Sequence, residues 1–200
     1  MLFMSDSKLL QQFVDSFSRL DDMLALDGAP VELIVKRDLD EWDRWQDESG
    51  CRDELEFWRP LRVETNPEAL ETLYARISGR FPVLYEQLVL SIRWMEVYLG
   101  VIRLLPNPPG ADLTGLSKTI FDDRALTETL IPAGYVPFAR APHNYDPMCF
   151  DLNAMSARGD CPIIQFEHES ILCDLKIGEH WQRWASFRDL MSDVIFLDAD

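Results

Sequence analysis

Ile131-Pro-Ala-Gly-Tyr-Val-Pro-Phe-Ala139, Tyr145-Asp-Pro-Met-Cys-Phe-Asp-Leu-Asn153 and Asp160-Cys-Pro-Ile-Ile-Gln-Phe-Glu-His-Glu169 follow one another closely along the chain. Each is a short apolar run bounded by Pro, Gly, Asn or Asp, which is how a strand between turns reads. The expected strands are 134–140, 147–153 and 161–167, with a fourth at 170–175. The links between them are too short for parallel crossovers, so the strands must pair antiparallel.

Outward from this cluster the chain turns helical. Leu9, Leu10, Phe13, Val14, Phe17, Leu20 and Leu24 form a helical stripe over 5–26, and Gly28 and Pro30 interrupt it. A second helix is expected over 31–48, carrying Val31, Leu33, Ile34, Val35, Leu39, Trp42 and Trp45. Phe57–Val63 reads as a short extended segment. Thr65, Asn66, Pro67 and Glu68 then carry the capping signals of a new helix, which Gly79 can end. Another helix starts at Pro82, a strand spans Met95–Leu105, and Pro106-Asn-Pro-Pro-Gly110 stops it. Single helices are expected over Asp112–Leu130 and over Glu179–Ile195. The order implies an α+β class: a mainly antiparallel sheet of about four to six strands, flanked by helices, with an N-terminal helical extension. Residues 1–56 are read as an acidic helical extension and 57–200 as the α+β domain.

The chain has 200 residues, which suits one domain, or one domain with an extension. Thirty-five Asp and Glu face nineteen Lys and Arg, for a net charge of −16. Phosphate contacts need clustered Lys and Arg, so nucleic-acid binding is not expected, and an anionic membrane surface is disfavoured likewise. A basic protein partner suits the charge, and acidity that serves only solubility is the competing explanation. Cys51, Cys149, Cys161 and Cys173 are widely spaced without a C-x-x-C pair, as in a reducing compartment. Met1-Leu-Phe-Met4 is too short for a signal peptide, and no apolar run approaches the roughly 18 residues of a membrane helix. A cytoplasmic location is expected.

Several segments invite a chemical reading. Gly110-Ala-Asp-Leu-Thr-Gly115-Leu-Ser-Lys118-Thr119 is superficially like a phosphate loop, but Leu116 stands where the motif needs Lys. Glu167-His168-Glu169 places one His between two carboxylates. Strand alternation would turn it away from both, at a strand end in solvent. Cys149, Cys161, Cys173 and His168 are spaced unlike a compact zinc site, and buried Cys commonly serve as small hydrophobes. Neither a Gly-x-Ser-x-Gly elbow nor a Gly-x-Gly-x-x-Gly loop occurs. Catalytic residues, metal and cofactor are therefore not expected.

Two segments suit partner binding instead. Residues 38–56 carry nine acidic residues, and within them Asp38, Asp40, Glu41 and Asp43 surround Trp42 and Trp45. Aromatic anchors inside a charged rim are typical of interfaces, while a core role for both Trp and a solvated acidic face is the plainer alternative. The connection Ala141-Pro-His-Asn-Tyr-Asp146 offers His143, Tyr145 and Asp146 as a second patch, or is merely a hairpin loop.

Further residues carry a family resemblance. These are Gly79-Arg-Phe-Pro82 with Tyr85 and Leu88, Ile131-Pro132, Tyr135-Val-Pro-Phe-Ala139 and Asp146-Pro-Met-Cys-Phe-Asp151. Cys161-Pro-Ile-Ile-Gln-Phe-Glu-His-Glu169 and Trp184-x-x-Phe187-x-x-Leu190 complete the set. Over roughly 57–195 the chain resembles the SUKH superfamily, named for the yeast cell-wall regulator and its bacterial toxin-immunity relatives. It departs from the family pattern at Ser91-Ile-Arg-Trp94, where Asn-Gly is frequent. The resemblance implies an α+β fold without catalytic residues. It also implies an immunity protein that blocks a cognate toxin, often a nuclease or deaminase, or a general interaction module. A carboxylate- or His168-dependent hydrolase is the alternative from another class. A homodimer is compatible with all three.

Overall fold

The computed structural model describes residues 5–17, 34–38, 54–109 and 113–197. Its helices are α1 (Asp6–Ser16), α2 (Glu71–Ile77), α3 (Val83–Ser91), α4 (Thr114–Phe121), α5 (Arg124–Leu130), α6 (His168–Asp174) and α7 (Phe187–Leu197). The first strands are β1 (Ile34–Asp38), β2 (Glu54–Trp58), β3 (Leu61–Arg62) and β4 (Ile92–Arg93). They continue as β5 (Val97–Tyr98), β6 (Arg103–Leu104), β7 (Tyr135–Arg140), β8 (Pro147–Asp151), β9 (Ile163–Phe166) and β10 (His180–Trp184). The fold is α+β, as the strand and helix order implies. No helix of the described residues is long and apolar enough to cross a membrane.

The main sheet is an antiparallel meander in the order β10-β9-β8-β7-β6-β5. Each strand pairs with its neighbour in sequence; the β5–β6 and β7–β8 links are short, whereas α4 and α5 lie between β6 and β7 and α6 lies between β9 and β10. Its central strands are buried on both faces. On one face Phe138 and Phe150 stack at 4.0 Å between ring centroids, and Tyr85 and Phe187 meet them edge-on or tilted. Here α1, α3 and α7 cover the sheet, with Leu9, Phe13 and Phe17 of the N-terminal segment buried in the same core. On the other face Leu130, Cys149, Ile164, Phe166 and Ile171 form a smaller core under α5 and α6.

The C-terminus of α3 shows how polar groups are managed inside this core. Helix ends leave carbonyls without partners. Asn107 Nδ2 donates to Val89 O at 3.0 Å and Ile92 O at 2.8 Å, and Arg93 Nη1 donates to Val89 O at 2.6 Å. Trp94 Nε1 donates to Leu105 O at 2.9 Å, which ties the helix exit to the strand region.

Several expectations are corrected. Residues 34–38 are a strand, not part of a helix: β-branched Ile34 and Val35 favour extended backbone, and antiparallel pairing with 54–58 decides it. Met95–Leu105 is not one strand but the β5–β6 hairpin, because Gly100 takes φ +75 and turns the chain between Leu99 and Ile102. The stretch expected as one helix to Leu130 holds two, Thr114–Phe121 and Arg124–Leu130, and residue 112 lies outside the described residues. Asp123 starts the second by accepting from Leu126 N at 3.1 Å. Asp123→Ala is expected to lower stability by about 1 kcal/mol, measured by urea denaturation. Segment 170–175 is helical, because Glu167 caps α6 through Glu169 N and Ser170 N at 2.7 and 2.9 Å. The closing helix begins only at Phe187, and Trp181 and Trp184 lie on β10. The first helix of the 66–79 segment ends with Ser78 at φ 53, not with Gly79. A Cβ at Gly79 would come within 2.7 Å of Leu152 Cδ1, so close packing explains that glycine.

Candidate functional site: the β7–β8 loop and its support

The loop after β7 is closed by Ala141 N donating to Asp146 O at 2.8 Å. Within it Tyr145 holds φ 61, a left-handed conformation costly for a side chain with a Cβ. Asp146 explains why it persists. The residue is 2 % exposed, and its carboxylate accepts four hydrogen bonds. The donors are Asn144 Nδ2 at 2.5 Å, Gln165 Nε2 at 2.7 Å, His168 Nδ1 at 2.7 Å and His168 N at 3.2 Å. Gln165 Oε1 in turn accepts from Arg183 Nη1 at 2.9 Å. The network runs from β10 through β9 to the loop and the first residue of α6. Burial alone would push the Asp146 carboxyl up, but the bonds from His168, Gln165 and Asn144 outweigh it and hold it below the ordinary value.

This arrangement pushes the neighbouring side chain outward. Tyr145 is 52 % exposed, and the Arg103 guanidinium carbon lies 5.3 Å from its ring centroid. The same carbon lies 5.6 Å from the ring of Tyr98, which is 41 % exposed on the β5–β6 hairpin. Arg103 also approaches Glu96 at 3.7 Å. Two exposed tyrosines thus flank one arginine, within cation–π range of both. Tyr and Arg are the residue types that dominate binding hot spots.

The expected site residues separate. His143 and Tyr145 are exposed on the loop. Asp146 is not a surface charge: its carboxylate faces inward and shapes the loop. Asp38 is the last residue of β1, and Asp40, Glu41, Trp42, Asp43 and Trp45 lie outside the described residues. Tyr98 and Arg103 join the patch although nothing singled them out in sequence. Reading Gly100 as a turn would have put them on one hairpin.

The other candidates scatter. His168 does not sit at a strand end but at the start of α6, paired with Asp146. The pair has the form of a base and its orienting acid, and among the described residues no hydroxyl or thiol is hydrogen-bonded to the imidazole. Cys149 and Cys161 are buried, one in each core. Burial raises both thiols. Cys161, with Asp160 and Asp151 adding to the effect, reaches about 12, so both stay protonated at neutral pH. Among the described residues no three His, Cys, Asp or Glu are grouped to hold a metal. Of the phosphate-loop-like segment, Thr114–Phe121 is α4 and 110–112 lie outside the described residues. Two surface cavities of about 410 and 370 Å³ lie away from the patch. The first is lined by Thr65, Glu68, Thr72 and Ser117, the second by Asp6, Gln11, Arg62 and Gln87.

No family model matches the chain, and neither the curated proteins nor the solved structures hold a match.

Proposed function

We propose that this is a non-enzymatic protein-binding domain that neutralises a cognate bacterial toxin by covering its working surface. The observation that carries the binding reading is the exposed Tyr98–Arg103–Tyr145 cluster on a pinned loop. Rigid aromatic anchors lose little conformational entropy on docking. A left-handed tyrosine held against its own preference is the kind of local strain that functional surfaces retain. The toxin reading rests on the SUKH resemblance. The net charge of −16 suits a basic partner such as a nuclease domain, drawn in by opposite fields. The free thiols of Cys149, Cys161 and Cys173 support work in the reducing cytoplasm.

Co-purification with the toxin domain encoded by a neighbouring gene tests this. Tyr145→Gly relieves the left-handed strain while deleting the anchor. It is expected to leave stability unchanged or raise it by about 1 kcal/mol. Affinity for the toxin is expected to fall by at least about tenfold. Charge reversal across 38–48 is expected to slow association. Affinity and on-rate unchanged in both variants would reject the proposed faces. A gene neighbourhood without a toxin favours the related reading, a regulatory module with another intracellular partner. The Asp146–His168 pair favours a second reading, a His168-dependent hydrolase. Turnover of an ester or amide substrate that His168→Gln abolishes would establish it.

A further inference from the structure

We propose that the free edge of β10 is a self-pairing surface, through which two copies of the chain join their sheets antiparallel about Trp181. β10 ends the six-stranded sheet, with β9 on one side only. Glu167 N donates to Glu179 O at 2.9 Å, and the register runs on through Trp181↔Gln165. In an antiparallel ladder the hydrogen-bonded pairs alternate, so Glu179 and Trp181 spend their backbone groups on β9. The N–H and C=O of His180 and Gln182 therefore point outward, off the edge. Glu179, His180, Trp181, Gln182 and Arg183 are all exposed, Trp181 by 46 %.

Read against its own inverse, this segment is complementary. Centred on Trp181, His180 exchanges both backbone bonds with the partner's Gln182, and Gln182 does the same with the partner's His180. Trp181 then meets the partner's Trp181 at a non-hydrogen-bonded position, where side chains of opposed strands come closest. One residue outward, Glu179 stands opposite the partner's Arg183, and Arg183 opposite the partner's Glu179. Arg183 lies on the Trp181 face, since it bonds Gln165, the residue paired with Trp181. Shifting the centre by one residue loses both charge pairs. Two copies of a molecule carrying −16 repel each other overall, and this strand offers a local match of opposite charges. A register shift falls between Gln182 and Trp184, where the strand itself ends, so the surface is confined to the short stretch 179–183 and closes as a two-fold dimer.

Sedimentation of the full chain over a concentration series tests the proposal. The wild type is expected to dimerise reversibly. Glu179→Arg and Arg183→Glu each set like charges opposite one another and are expected to weaken the dimer at least about tenfold. The double variant restores both pairs and is expected to return to within about threefold of wild type. Circular dichroism checks folding, and Glu179→Arg remains decisive should the loss of Arg183 disturb Gln165. A wild type monomeric to about 1 mM, the weakest range of specific association, overturns the proposal. So does a dimer indifferent to the single substitutions, or a double variant no better than either single. Tyr145→Gly leaves this dimer intact, which separates its failure from failure of the toxin reading.

Discussion

Asp146→Ala is expected to destabilise the protein by about 3 kcal/mol and to weaken partner binding about tenfold. The carboxylate is the common acceptor for Asn144, Gln165 and two N–H groups of His168. Without it the buried Gln165 amide keeps Arg183 but loses its own acceptor. Leaving buried donors unmatched costs more than the bond contributed, because desolvation is no longer offset. The loop also loses the clamp that holds Tyr145 left-handed, so the anchor must be ordered at the moment of docking. Urea denaturation of Asp146→Ala and Asp146→Asn measures the first effect, and titration calorimetry the second. The pH dependence has a definite sign. The folded carboxyl titrates below the ordinary 3.8, so its contribution is fully present above that value and is lost as pH falls through the lower folded value. The stability gap between wild type and Asp146→Asn is therefore expected to narrow as pH falls below the ordinary carboxylate range.

Phe150→Ala carries the larger cost, about 4 kcal/mol, or roughly 12 °C in melting temperature for a domain of this size. Phe150 is fully buried and stacked on Phe138 at 4.0 Å, with Tyr85 at 4.9 Å and Phe187 at 5.7 Å. These rings come from two strands and two helices, so they cannot collapse together to fill the void. Phe150→Leu keeps most of the volume and is expected to cost about 1.5 kcal/mol. Calorimetry on both variants checks the ratio. Equal, small losses would mean the core is less tightly coupled than its ring geometry implies.

The strands at 135–140, 147–151 and 163–166 were legible because Pro, Gly and Asp punctuate three apolar runs. Other elements were not, for identifiable reasons. Trp181, Trp184, Phe187 and Met191 are spaced like one helical face, and only pairing with β9 draws the first two into a strand. Ile171-Leu-Cys173 is an apolar run that reads equally well as a strand. Glu167's caps on two backbone N–H groups choose helix, and a carboxylate beside a histidine does not announce that role. In the candidate site, His143 and Tyr145 were visible as loop residues. Asp146 was assigned to the surface because its burial depends on Gln165 and His168, far along the chain and joined to it only by sheet pairing. Tyr98 and Arg103 were hidden inside a supposed single strand.

The edge contact between Phe13 and Phe187, 5.8 Å apart, has a bearing on how the molecule is made. The β5–β6 and β7–β8 hairpins can close within a short stretch of chain. α1 has no such option: it leans on α7, at the far side of the domain in sequence, and its flanking Phe17 meets Trp94 in between. Its phenylalanines are buried by partners distant in sequence, Phe17 against Trp94 and Phe13 against Phe187, so sealing this corner of the core carries the largest loop-closure cost in the fold and is expected to come late in folding.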